Sequence, residues 1–128
     1  MLPSRLAAAA ALSIVAGPVT AAQAPPRMSA QTIVLYSYGY NPDPIVLAAG
    51  RPVMLTFVNR SGKGHDFTAR GFFANARILS GEVRNGEVGM GPGGSRTVTL
   101  VPRAGQYKVH CGHFLHKQFG MRGDIVVR

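Results

Sequence analysis

The chain has 128 residues, with 14 Lys and Arg against 5 Asp and Glu, a formal net charge of +9, four histidines and a single cysteine. That length suits one small domain, and one cysteine excludes an internal disulfide framework. The cations are spread from Arg27 to Arg128 with nothing denser than Arg60 and Lys63 in one loop, and no nucleic-acid motif occurs, so the charge points to an acidic protein partner or an anionic surface rather than to nucleic acid.

Arg5 followed by the apolar run 6–15 reads as the basic and hydrophobic regions of a secretory signal, with Ala22-Gln23-Ala24 as a small-x-small cleavage site and Thr20-Ala21 as an alternative. The run falls short of the ~20 apolar residues that a spanning helix needs, so no membrane span is expected after cleavage. Pro25-Pro26-Arg27-Met28-Ser29 is a loose lead-in. Residues 32–38, rich in β-branched and aromatic side chains, read as a first strand. Asn41-Pro42-Asp43-Pro44 is turn chemistry, residues 45–47 are a short strand, and residues 53–59 form the most apolar strand of the chain. The loop 60–64 then delivers His65, and Asp66-Phe67-Thr68 begins another extended piece.

From Gly71 to Gly94 the pattern weakens. Residues 72–79 suit one helical turn or a short edge strand, and Gly86, Gly89, Gly91, Gly93 and Gly94 read as a glycine-rich loop without the lysine and hydroxyl residue of a phosphate cradle. Residues 95–101 alternate cleanly, with Val98 and Leu100 on one face, and residues 106–111 place Tyr107, Val109 and Cys111 on one face opposite Lys108 and His110. Residues 123–127 form a last alternating run. Short strands between Gly, Pro and Asn turns, with no long amphipathic helix and no internal repeat, predict an all-β fold, a single antiparallel Greek-key β-sandwich.

The chemistry concentrates between the last two strands, where Cys111, His116 and Met121 follow one another at intervals of five, with His110 and His113 beside them. On a straight strand such neighbours stand ~16 Å apart. On a loop that folds back, a thiolate and an imidazole meet on one ion at ~2.0–2.3 Å. A second histidine from elsewhere completes the trigonal His2Cys set with a weak axial methionine that marks a blue-copper electron-transfer site, and His65, emerging after a core strand, is the candidate. Met90 is the reserve for the axial position. His113, two residues from Cys111, bites awkwardly on the same ion and is read as exposed; with His110 and surface carboxylates it makes a candidate weaker second metal site. In an exported protein a free thiol is a liability, which favours a role that occupies the sulfur.

The arrangement Cys111-x4-His116-x4-Met121, running into Gly120-Met121-Arg122-Gly123, resembles the ligand loops of cupredoxins, in particular plant phytocyanins and the last domain of multicopper oxidases. The resemblance covers about residues 31–128. It implies one type 1 copper ion held by His65, Cys111 and His116 in the plane and Met121 on the axis. Where many cupredoxins have Asn after the first histidine and Pro-Gly before the second, this chain has Asp66 and Phe114-Leu115.

The resulting expectations are a signal peptide over 1–24, a flexible lead-in over 25–30 and a copper domain over 31–128. That domain is a monomeric, periplasmic or otherwise exported one-electron carrier, not an enzyme. Its partner is a larger redox protein, a cytochrome or a copper oxidase or reductase, with an acidic docking patch. Phe114, Leu115 and Phe119 would form an apolar collar around His116, and Lys63, Lys117 and Arg122 a basic rim. The rival reading is a copper-handling protein for resistance or delivery, favoured by the extra histidines and by Met28, Met54 and Met90. Multicopper oxidase chemistry needs paired His-x-His motifs, which the chain lacks.

Overall fold

The computed structural model describes residue 3, residues 10–112 and residues 120–128. Residues 10–28 carry no regular structure and are exposed. Beyond them the chain forms β1 (Ser29–Tyr36), β2 (Gly39–Asn41), β3 (Ile45–Leu47), β4 (Val53–Asn59), β5 (His65–Thr68), α1 (Arg70–Asn75), β6 (Arg77–Ser80), β7 (Glu87–Met90), β8 (Ser95–Val101), β9 (Gly105–His110) and β10 (Arg122–Val127). Two five-stranded sheets face each other, one ordered β2-β1-β4-β8-β6 and the other β3-β10-β9-β5-β7.

This is the sandwich that the alternation predicts, with one difference: β1 runs parallel to β4, and β3 parallel to β10. From β2 to β9 each successive strand changes sheet, so neighbours within a sheet are mostly distant in sequence and need not be joined by hairpins. The weakly patterned region resolves into three pieces. Residues 70–75 are a helical turn that buries Phe72 and Phe73, and residues 77–80 are an exposed edge strand, so both readings of 72–79 apply, one to each half. The glycine-rich stretch is in part a strand: Val88 and Met90 alternate inward in β7 while Gly89 faces out, which outweighs the turn propensity of the glycines.

Between the sheets the inward positions of β4 (Val53, Leu55, Phe57) meet those of β5, β9 and β10, including Phe67, Val109 and Ile125. Aromatic rings run through this core, with Phe67 against Phe57 at 4.7 Å, Tyr40 at 5.5 Å and Phe73 at 6.0 Å, and Phe72 linking Phe73 to Tyr107. The result is a stiff block from one end of which β4, β5, β7, β9 and β10 present the candidate ligands and their supports.

Candidate metal centre

The inward beat of β4 ends on a polar residue, Asn59, which is wholly buried. Its amide nitrogen donates to the carbonyls of Lys63 at 2.7 Å, Gly91 at 3.0 Å and Met90 at 3.4 Å, and its oxygen accepts from the backbone N–H and hydroxyl of Ser61. One side chain thus ties down the loop 60–64 and the end of β7, and so sets where His65 enters β5. Sequence reasoning passed over Asn59. The signal was there in a lone amide on the inward beat of Val53, Leu55 and Phe57.

All four residues of β5 are buried. His65 and Phe67 point into the core side, His65 lying opposite Met90 and Phe67 opposite Val88 in β7. Against β9, among the described residues, β5 makes one ladder pair, Thr68 with His110. Cys111 follows His110 and is fully buried. Its backbone N–H donates to the Met121 carbonyl at 3.1 Å, carrying the β9–β10 pairing one residue past Arg122 and His110. Gly120, at φ +79, supplies the left-handed residue that brings Met121 back alongside, and the Met121 side chain is completely buried.

The structure brings His65 and Cys111 together from positions 46 apart: His65 Nδ1 lies 3.9 Å from Cys111 Sγ. That is long for a direct contact between donors. It is a separation that two ligands of one ion keep when their bonds are ~2.0 and ~2.3 Å, since end to end these reach just over 4 Å. An imidazole and a thiol this close, with the buried Met121 paired to Cys111 through the backbone, suit a soft or borderline metal such as copper, so the donor types fit. His116 and His113, with Phe114, Leu115, Lys117 and Phe119, lie outside the described residues. Among the described residues no three His, Cys, Asp or Glu side chains converge on one point.

Asp66, where Asn was the familiar residue, bridges β5 and the end of β9. Its Oδ1 accepts from the Gly112 N–H at 2.7 Å and from the Thr68 hydroxyl at 2.6 Å, while Oδ2 lies 3.7 Å from Cys111 Sγ. A side-chain oxygen of β5 thus holds the backbone just past the end of β9. Gly112 permits this approach, because a Cβ there would sit 3.3 Å from Oδ2. Behind it, the Tyr40 hydroxyl donates to the Asp66 carbonyl at 2.9 Å. Burial first, and then the negative charges of Cys111 and Asp66, hold the Tyr40 phenol well above the ordinary tyrosine range, so it remains a donor. Tyr40→Phe is expected to lower the stability of the metal-free protein by about 1 kcal/mol, read as a lower urea midpoint at unchanged slope.

Around this end the cations are exposed: Arg60 and Lys63 in the loop before His65, and Arg122 immediately after Met121. His110 is half-buried on the outer face of its sheet, in a cleft of about 400 Å³ that it shares with Asp43, Lys108, Arg122 and Asp124. Lys108 pairs with Asp124 there.

A family model described as a cupredoxin-like domain matches residues 5–127. No curated protein matches. Among solved structures the chain is similar to auracyanin B, with a TM-score of 0.60 at 17% identity over 84% of this chain and 93% of that one. It is similar to dithionite-reduced auracyanin from Roseiflexus castenholzii, with a TM-score of 0.59 at 21% identity over 78% of this chain and 97% of that one. A multicopper oxidase from Campylobacter jejuni gives a TM-score of 0.60 at 12% identity over 86% of this chain, which spans 32% of the oxidase.

Proposed function

This chain belongs to the cupredoxin-like domain family, and from that premise we propose that it is an exported, periplasmic type 1 copper protein that carries single electrons between larger redox proteins. His65, Cys111, His116 and Met121 are its ligands. The observation that carries this reading is the approach of His65 Nδ1 to Cys111 Sγ at 3.9 Å inside the closed end of the sandwich.

When bound, copper supplies a one-electron couple between Cu(II) and Cu(I). The protein's part is to offer both states one compromise: thiolate and thioether favour Cu(I), and imidazole suits Cu(II). Asn59 and Asp66 hold the ligand-bearing segments to a core of interlocked rings, so His65 and Cys111 keep their places when the charge changes. Complete burial of Cys111 and Met121 keeps water from the sulfurs.

A carrier role is supported by the auracyanin likenesses, which span nearly the whole of those proteins, one of them in a reduced form. The multicopper oxidase likeness covers only a third of that enzyme. Among the described residues no helix is long and apolar enough to cross a membrane. Arg60, Lys63 and Arg122 form a basic rim at the ligand end, suited to an acidic patch on a cytochrome or copper enzyme, to which a monomer docks and from which it leaves.

The copper-handling reading draws on exposed thioethers, with Met28 61% and Met54 39% exposed. One experiment separates the two. The protein lacking residues 1–24, loaded with Cu(II), is expected to show the intense visible band of thiolate ligation, to bleach and recover over repeated reduction and reoxidation, and to hold its copper against a competing chelator. Rapid loss to the chelator in either oxidation state favours handling, and absence of the band removes the type 1 reading.

A further inference from the structure

The cations that look scattered along the sequence are partly gathered in space. Arg27, Arg51, Arg77, Arg103 and Arg128 stand about 25 residues apart, which is the interval at which the chain returns to the end of the sandwich opposite Cys111. β1 starts at that end, where the Ser29 N–H donates to the Pro52 carbonyl at 3.1 Å. β8 finishes there, with Val101 facing Arg77 across the β6 ladder and the Pro102 carbonyl accepting from the Gly50 N–H at 2.9 Å. β10 finishes there too, its last residue Arg128 bonded through the backbone to Leu47 and Ala49. Each visit leaves one arginine, and all five are exposed.

The segments that build this end, 25–29, 47–53, 76–77, 101–105 and 127–128, contain no Asp or Glu. Among the described residues the ion pairs join Arg84 to Glu82 and Lys108 to Asp124, and so use none of the five arginines. Exposed apolar side chains share the end: Met28 beside Arg27, Ile78 and Leu79 beside Arg77, Val46 near the close of β3 and Met54 near the start of β4. A surface of one charge sign attracts any polyanion. Guanidinium groups interleaved with exposed aliphatic and thioether side chains match something narrower, an interface that offers phosphates outside and hydrocarbon just beneath.

We propose that this arginine pole is a docking surface for an anionic phospholipid bilayer. The inference goes beyond the copper reading and does not depend on it. Docked in this way, the protein turns its ligand end and the basic rim around it away from the bilayer, where a partner's acidic patch can reach them. A nucleic acid would use the arginines but leave the apolar side chains without a role.

The test is co-sedimentation of the protein lacking residues 1–24, which keeps every strand and all five arginines, with vesicles of phosphatidylcholine alone and of equal parts phosphatidylcholine and phosphatidylglycerol. Binding is expected to the anionic vesicles only, weakening steeply as salt rises. An arginine close to an anionic surface contributes roughly a fivefold factor. The triple variant Arg51→Gln, Arg77→Gln, Arg103→Gln is therefore expected to bind at least about tenfold more weakly. The triple variant Arg70→Gln, Arg84→Gln, Arg96→Gln removes the same charge away from this end and is expected to stay within about twofold of wild type. Leu79→Ser is expected to weaken vesicle binding as well. All seven residues are exposed, so the variants are expected to fold. Equal losses in the two triple variants would reduce the effect to net charge and overturn the proposal, as would absence of binding to the anionic vesicles. Tighter binding to duplex DNA, lost in the first triple variant and unaffected by Leu79→Ser, would overturn the lipid assignment in favour of nucleic acid.

Discussion

Cys111→Ser is expected to abolish the intense visible absorption of the Cu(II)-loaded protein, with the metal-free fold retained. The band requires a thiolate on the metal, and Cys111 is the only sulfur of that kind in the chain. A serine hydroxyl is a harder and far less acidic donor than a thiol, ill matched to the copper site proposed above. Because the side chain is nearly isosteric, its packing within the buried core is expected to survive. Its hydroxyl, carried on a shorter bond than the thiol, is beyond hydrogen-bond reach of His65 Nδ1 and Asp66 Oδ2, which stand 3.9 and 3.7 Å from the sulfur, so the metal-free protein is expected to lose about 1–3 kcal/mol. Absorption spectra of both proteins with one equivalent of Cu(II), beside urea unfolding without metal, check this. A variant that keeps the band would remove Cys111 from the ligand set and leave its contact with His65 without a function.

Phe67→Ala carries the largest expected loss of stability, ~3–5 kcal/mol, a large part of the ~5–15 kcal/mol that holds a domain of this kind together. Phe67 is fully buried between Asp66 and Thr68, and its ring touches Phe57 from one sheet, Tyr40 from the edge hairpin and Phe73 from the short helix. Deleting the ring opens a cavity where three elements meet. The surrounding strands cannot collapse into it without dragging β5, which carries both His65 and the bridging carboxylate. Urea unfolding of the metal-free protein measures the effect, with the slope unchanged if the denatured state is unaltered. A loss below about 1 kcal/mol would mean that the aromatic cluster is not what anchors β5.

The two predictions draw on different kinds of legibility. Cys111 stands out in the sequence because it is the sole cysteine among clustered histidines, and the alternation of Tyr107, Val109 and Cys111 already turns it inward. Phe67 does not stand out, since a four-residue strand flanked by a loop and a helical turn has too few beats for a period to show. The strands 45–47, 53–59 and 95–101 were legible to the residue, because a face packed on a core forces apolar side chains onto every second position. β7 was not, because Gly89 between Val88 and Met90, with Gly86 and Gly91 on either side of the strand, reads as a loop until β5 is there to pair with it.

The same division holds for the site. A local grouping of Cys111, His116 and Met121, and a lone His65 after the most apolar strand, suggested a set of donors, of which the structure brings His65 and Cys111 together and leaves His116 outside the described residues. The sequence by itself therefore determined the sandwich and its inward faces. Only the tertiary structure decided that His65 lies 3.9 Å from Cys111, that Asn59 clamps the loop before it, and that Asp66 reaches Gly112. Those contacts join residues as much as 46 positions apart. The longest of them depend on how β5 is set beside β9, and no local pattern along either strand encodes where two distant strands meet.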